Sequence, residues 1–355
     1  MMKRVVIFLC VAALCAFPSL GAEFEVSGLD DLLGQAEDYG VPADGNLEEG
    51  VSNLISDAAS QLGILLRSGL STGLKLMAVV LLCALAHSAR PEGGEEGLSA
   101  VQIAGALSIT ALTMTDMSAM IGLGRETIGK MEDFSSLLLP VMAVLTAATG
   151  GVTAAAVRQG ATVFFSQMLI LTMDRLLIPM VYAYVALSCA HAALGNPGLQ
   201  RLAGLVKSAA VFLLTAMLLA FVGYLTASGA IAGSVDASAV KAAKLAISRV
   251  IPVVGSILAD ASESVLAGAG VLRGTVGAVG MVVVLAICLT PFLRLCVQYV
   301  VYKVTGALCA AVAQPRLCQL IDAIGGAFGL VLGMTGAGAL ILLVSLVSAV
   351  GAVSP

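Results

Sequence analysis

Asp260 and Glu263 stand three positions apart in IPVVGSILADASESVLAGAGVLRG, residues 251–274, a stretch otherwise composed like a membrane helix. On a helix that spacing puts both carboxylates on one face. Such a pair could line an aqueous path. Facing lipid, it would cost several kcal/mol or take up protons, so burial in hydrocarbon is disfavoured. Two settings satisfy the acids. One is a solvated hairpin at the membrane surface, near Arg249 or Arg273. The other is a re-entrant segment lining an aqueous passage beside a helix broken at Pro291, since charge at membrane depth needs water or protein around it.

Other polar residues interrupt apolar runs in the same way. Asp116 is one; the adjacent Asp174 and Arg175 are another case, and Arg294 a third. Thr290, Arg294, Gln298 and Tyr302 recur every four residues, a polar stripe on one helical face. Asp260, Glu263, Asp174, Arg175, Arg294 and Gln298 together form the candidate polar pathway. The plainer reading of Arg294 is a side chain near a helix end, snorkelling to the interface.

Enzyme chemistry has no foothold. There is no phosphate-binding glycine loop, no nucleophile elbow and no H-E-x-x-H. His87 and His191 stand alone, so no metal site is expected. Beyond Cys10 and Cys15, the cysteines lie in or beside apolar runs without a C-x-x-C pair and read as small hydrophobes. No cofactor and no nucleic-acid partner is called for.

The elements that must position these residues are membrane helices. Hydrophobic residues make up 59% of the 355 and charged residues 11%, and mean hydropathy is +1.03. Soluble domains carry about 25% charge. The fold class is therefore an all-α polytopic membrane protein. Apolar segments lie at about 70–88, 98–121, 134–157, 160–193, 202–228, 276–313 and 324–350, about seven in all. The runs 160–193 and 276–313 exceed the roughly 20 residues that cross hydrocarbon. Each must tilt, break or form two joined spans. Gly325, Gly329 and Gly333 are spaced for close helix packing.

Residues 1–22 have the order of a secretory signal: Lys3 and Arg4, an apolar run, then Ser19, Gly21 and Ala22. Residues 23–60 follow with ten acids and no Lys or Arg, which suits an extracytoplasmic segment. Residues 61–128 hold the first two membrane helices.

The remainder aligns with itself. Pro140 meets Pro252, Arg158 meets Arg273, Pro179 meets Pro291, and CAHAALGNPGLQRL (189–202) lies over CAAVAQPRLCQL (309–320). A duplication divides the chain into repeat 1 (129–232), a basic amphipathic linker helix (233–250) that carries Lys241 and Lys244, and repeat 2 (251–355). Three crossings per copy would make the repeats inverted, a common transporter plan with interrupted helices along the substrate path. Two joined spans in each long run would make the copies parallel.

The signal-like start, GGVTAAA (150–156) and IPVVGSILADASESVLAGAGVLRGTVGAVG (251–280), in that order, resemble the stage III sporulation protein AE family of endospore-forming bacteria. The likeness covers roughly 130–350. It implies a multi-pass protein of the mother-cell membrane facing the forespore, within an envelope-spanning, secretion-like channel complex. Implied partners are the other stage III A-operon membrane proteins and, through the complex, the forespore's stage II protein Q, besides membrane lipid. The resemblance implies no enzyme. The rival reading is a self-sufficient secondary transporter with inverted repeats.

Overall fold

The computed structural model describes residues 29–38, 47–88, 95–148, 152–250, 255–311 and 315–351. The expected signal, 1–22, lies outside the described residues, as do the side chains of 228–273. Among the described residues the chain is helical throughout. The helices are α1 (Leu29–Asp38), α2 (Leu47–Ser88), α3 (Glu95–Ala148), α4 (Val152–Thr172), α5 (Ile178–Leu194), α6 (Pro197–Val250), α7 (Gly255–Cys309) and α8 (Pro315–Gly351), with a π turn at Met173–Leu177 between α4 and α5.

α1 is short and amphipathic. Leu32 and Ala36, one turn apart, are fully buried, while Asp31 and Glu37 are exposed. It rests against α3 and α7.

Six helices are long and apolar enough to cross a membrane: Leu54–Ser88, Ala100–Ala148, Gly160–Leu194, Pro197–Ala227, Gly274–Cys309 and Pro315–Val347. The expected seven become six because 98–121 and most of 134–157, up to Ala148, belong to one helix, α3, while 152–157 opens α4. Its charged stretch, Arg125 to Asp133, resembles a loop between spans. The helix continues because those side chains find helical partners: Lys130 bonds Glu126 one turn back at 2.8 Å, and Arg125 and Glu132 reach α4 and the π turn. Buried hydroxyls are satisfied locally too. Thr113, Thr127 and Thr146 each donate to the carbonyl four residues back.

The two long apolar runs treat their prolines differently. Pro179 lacks an N–H to continue the α ladder. Ahead of it the helix widens, and the Ile178 N–H reaches back five residues to Met173 O. Pro291 lies inside α7, which stays one α-helix from Gly255 to Cys309. No break occurs there, and residues 255–274 are the opening turns of α7 rather than a hairpin or re-entrant loop. The segment 235–250 likewise continues α6 without interruption.

One end of the bundle gathers the turns. α5 stops at Gly195, whose φ of 71° is left-handed and whose N–H bonds His191 O at 2.8 Å. The Arg316 guanidinium packs where a Cβ on Gly195 would stand, a second reason for glycine. Both α6 and α8 begin on a proline, which suits the first helical turn. Gln200 and Gln319 bond at 3.3 Å, and Arg316 donates to Gln102 at 3.1 Å. At the opposite end, Leu138 of α3, Gly280 of α7 and Leu346 of α8 meet, and Thr162 shares a hydrogen bond with Ser345.

These contacts orient the segments aligned as repeats. α4–α5 and α7 both run toward the turn end; α6 and α8 both run away from it. The segments that align in sequence thus run parallel in the bundle rather than inverted. The seam between α7 and α8 is the heart of the core, with Tyr302 fully buried edge-on to Phe328 at 4.9 Å. Bulky apolar side chains such as Leu171, Leu194, Phe212 and Leu219 cover the outside.

Candidate functional site

The polar stripe of α7 acquires a partner from α3. Gln298 Nε2 and Tyr302 Oη both donate to Asp116 Oδ2, each at 3.1 Å. Helical periodicity presents Gln298 and Tyr302 on one face, and Asp116 is the acid α3 places opposite them. Asp116 is half-buried and Tyr302 fully buried. Two donors on a single carboxylate oxygen give this acid hydrogen-bond partners from the facing helix.

A second polar cluster joins α3 to the π turn. Arg125 Nε bonds Asp174 Oδ1 at 2.8 Å, and one heptad further along, Glu132 accepts from Gln167. The cleft between them, about 270 Å³, is lined by Arg125, Gly129, Glu132, Met173 and Asp174. Its ion pair is about half exposed, 51% and 45%. By itself such a pair contributes little stability.

The two clusters do not form one path. Asp116 and Arg125 are nine residues apart, about two and a half turns of α3, so they point to opposite faces. Of the expected pathway, Gln298 joins the Asp116 cluster and Asp174 the cleft. Arg175 and Arg294 are exposed on the bundle surface. The side chains of Asp260 and Glu263 lie outside the described residues.

Sequence reasoning missed Arg125, Glu132 and Gln167. Their signal is a spacing of seven on each helix, 125 and 132 against 167 and 174, read in opposite directions as antiparallel helices require. Among the described residues no three His, Cys, Asp or Glu side chains converge on a metal position, and Cys83, Cys189, Cys288, Cys296, Cys309 and Cys318 are free thiols.

The family model for stage III sporulation protein AE matches residues 41–353. The chain belongs to the stage III sporulation protein AE family. A curated relative, stage III sporulation protein AE of Bacillus subtilis (strain 168), is 26% identical over 204 residues, covering 58% of this chain and 50% of the relative. The chain thus spans about half the length of that curated relative. No solved structure matches. The Asp116 cluster and the Arg125–Asp174 cleft both fall inside the span matched by the stage III sporulation protein AE model.

Proposed function

We propose that this chain is a membrane component of the secretion-like, envelope-spanning channel complex between mother cell and forespore. It would sit in the mother-cell membrane facing the forespore. There it would assemble with other stage III A-operon proteins and, through them, meet the forespore's stage II protein Q. Family membership and six apolar helices support a membrane role in sporulation.

One observation carries the assembly reading. Arg125, Glu126, Lys130, Asp174 and Arg175 lie exposed on the outside of the bundle. Their level is mid-span: neighbouring Gly124 packs on Val331 and Thr335 of α8, and Val331 is halfway along Pro315–Val347. Lipid does not solvate such a strip, so protein or water must cover it. A chain that works within a larger assembly supplies that cover.

Against the self-sufficient permease speaks the parallel run of the segments whose alignment suggested inverted repeats. The test is affinity purification of the tagged full-length chain from sporulating cells. Co-purification of operon partners, weakened by neutralising Arg125 and Asp174, is expected. Solute flux through the purified chain alone in liposomes, with no partners recovered, would overturn the reading.

A further inference from the structure

A third polar region lies near the turn end, between α5, α6 and α8. Its cavity of about 280 Å³ opens outward past Gln200, Gly204, Gln319 and Asp322, all exposed. Next to two of its lining residues, Tyr184 and Lys207, packs Gly326 of α8. A Cβ built there would stand 3.0 Å from Lys207 Nζ and 3.0 Å from Tyr184 Oη. The two groups therefore lie within about 6 Å of each other, twice that distance, over a residue with no side chain. Lys207 Nζ is also 5.7 Å from the centre of the Tyr184 ring.

These donors are uncommitted. Tyr184 is only 6% exposed, yet among the described residues its hydroxyl makes no hydrogen bond. Among the described residues, Lys207 has no carboxylate within ion-pair distance. The one acid of the cavity, Asp322, is taken by Lys303 at 2.6 Å. His191 gives its Nδ1–H to Asn196 O at 2.8 Å, which leaves Nε2 an acceptor and not one of the donors. Buried polar groups without partners are rare, and each calls for a ligand or bridging group. What converges here is one ammonium, one phenol hydroxyl and the side-chain amides of Gln200 and Gln319, beside a single carboxylate, Asp322, that Lys303 pairs from outside the lining.

We propose that this cavity binds a phosphate group, presented as the headgroup of an anionic phospholipid. A tetrahedral anion accepts from several donors at once, which matches an ammonium and a hydroxyl flanked by amides. The lipid source follows from position. The cavity opens to the bundle exterior beside the polar turns that join α5, α6 and α8, helices long and apolar enough to cross a bilayer. Basic pockets between membrane helices take acidic headgroups for this reason. The inference requires only that the chain sits in a bilayer and is independent of its partners.

The experiment uses the purified full-length chain. Retained lipid is measured by native mass spectrometry, and thermal unfolding is followed after adding phosphatidylglycerol, phosphatidylcholine or inorganic phosphate. The wild type is expected to retain and be protected by phosphatidylglycerol over phosphatidylcholine. Lys207→Gln should weaken that preference roughly tenfold or more, as losing a charged hydrogen bond implies, and Lys207→Arg should preserve it. Protection by inorganic phosphate with equal displacement of lipid would keep the phosphate chemistry and overturn the lipid source. A wild type showing neither phosphatidylglycerol preference nor phosphate protection would overturn the proposal, whatever the variants do.

Discussion

Tyr302 and Asp116, 186 positions apart in the chain, meet at 3.1 Å across the seam between α7 and α3. The pair fixes which turn of α7 faces which turn of α3, because a slip of one residue would carry the hydroxyl about 100° around the helix. Tyr302 is itself held from behind by the Phe328 ring and by Gly325, whose missing Cβ would stand 3.1 Å from Tyr302 Cβ. One contact thus ties three helices into register.

The Tyr302→Phe variant keeps the ring and deletes the donor. Hydrogen bonds between membrane helices are worth up to about 2 kcal/mol, and those to charged groups reach the upper part of that range. Thermal unfolding in detergent should therefore show a loss of about 1–2 kcal/mol, with Gln298→Leu smaller because Gln298 is less buried. An unchanged midpoint for Tyr302→Phe would mean Asp116 does not depend on that bond.

The glycines of α8 make a graded series. Steps of four residues advance about 40° around the helix, so Gly325 and Gly329 face α7 but Gly333 has turned to Leu214 of α6. A methyl at Gly325 meets Tyr302 Cβ at 3.1 Å and the Lys303 backbone nitrogen at 3.4 Å, neither of which can swing aside. At Gly329 it meets the edge of the Tyr299 ring at 3.0 Å, and at Gly333 a leucine methyl at 3.3 Å. Alanine should cost most at 325 and least at 333, with Gly329→Leu in the 1–3 kcal/mol range of overpacking. Membrane accumulation and thermal midpoints check the order; equal effects at all three would contradict the packing described.

The membrane class was legible because hydrocarbon imposes a strong compositional demand. The polar stripe of α7 was legible because its period is that of a helix. What sequence alone missed were relationships between distant segments. Arg125 to Asp133 read as a loop because charge usually marks one; only the facing Asp174 and Gln167 show why the helix continues. Pro179 and Pro291 look equivalent in sequence, yet one is met by a π turn and the other is absorbed by an α-helix. Single-residue patterns report what a segment can do, whereas its neighbours decide which option is used.

Neutralising the cleft should separate stability from assembly. Arg125 and Asp174 are about half exposed, and exposed pairs are worth about 0.2–1 kcal/mol. Arg125→Gln should thus shift the thermal midpoint little while lowering recovery of operon partners. A large loss of stability with unchanged partner recovery would assign the pair to the fold instead.

Asp260 and Glu263 fall three positions apart in the opening turns of α7, a spacing that shares one helical face. Asp260→Asn with Glu263→Gln removes both charges and keeps side-chain size. The double variant is expected to insert and accumulate normally but to impair sporulation after engulfment, scored as heat-resistant spore yield. Normal yield would leave the acids as solvent-facing groups without a role in transport.

One crossing by each of the six long apolar helices would fix relative sidedness whatever the absolute orientation. An even number returns the chain to the face where it began, so the start of α2 and the end of α8 share a side, and Gly195 and Arg316 lie on the other. The acid-rich, base-free segment 23–60 favours the outer face. The turn end, with Arg201, Lys207, Lys303 and Arg316, has the basic character of a cytoplasmic face. Reporter fusions after Asp57 and after Val347 should both report an extracytoplasmic position, and a cysteine at Asn196 should react only with reagents that enter the cytoplasm. Opposite results for the two fusions would require an odd number of crossings, and α3, with 54 residues and Pro140 inside it, would be the helix to re-examine for a second pass.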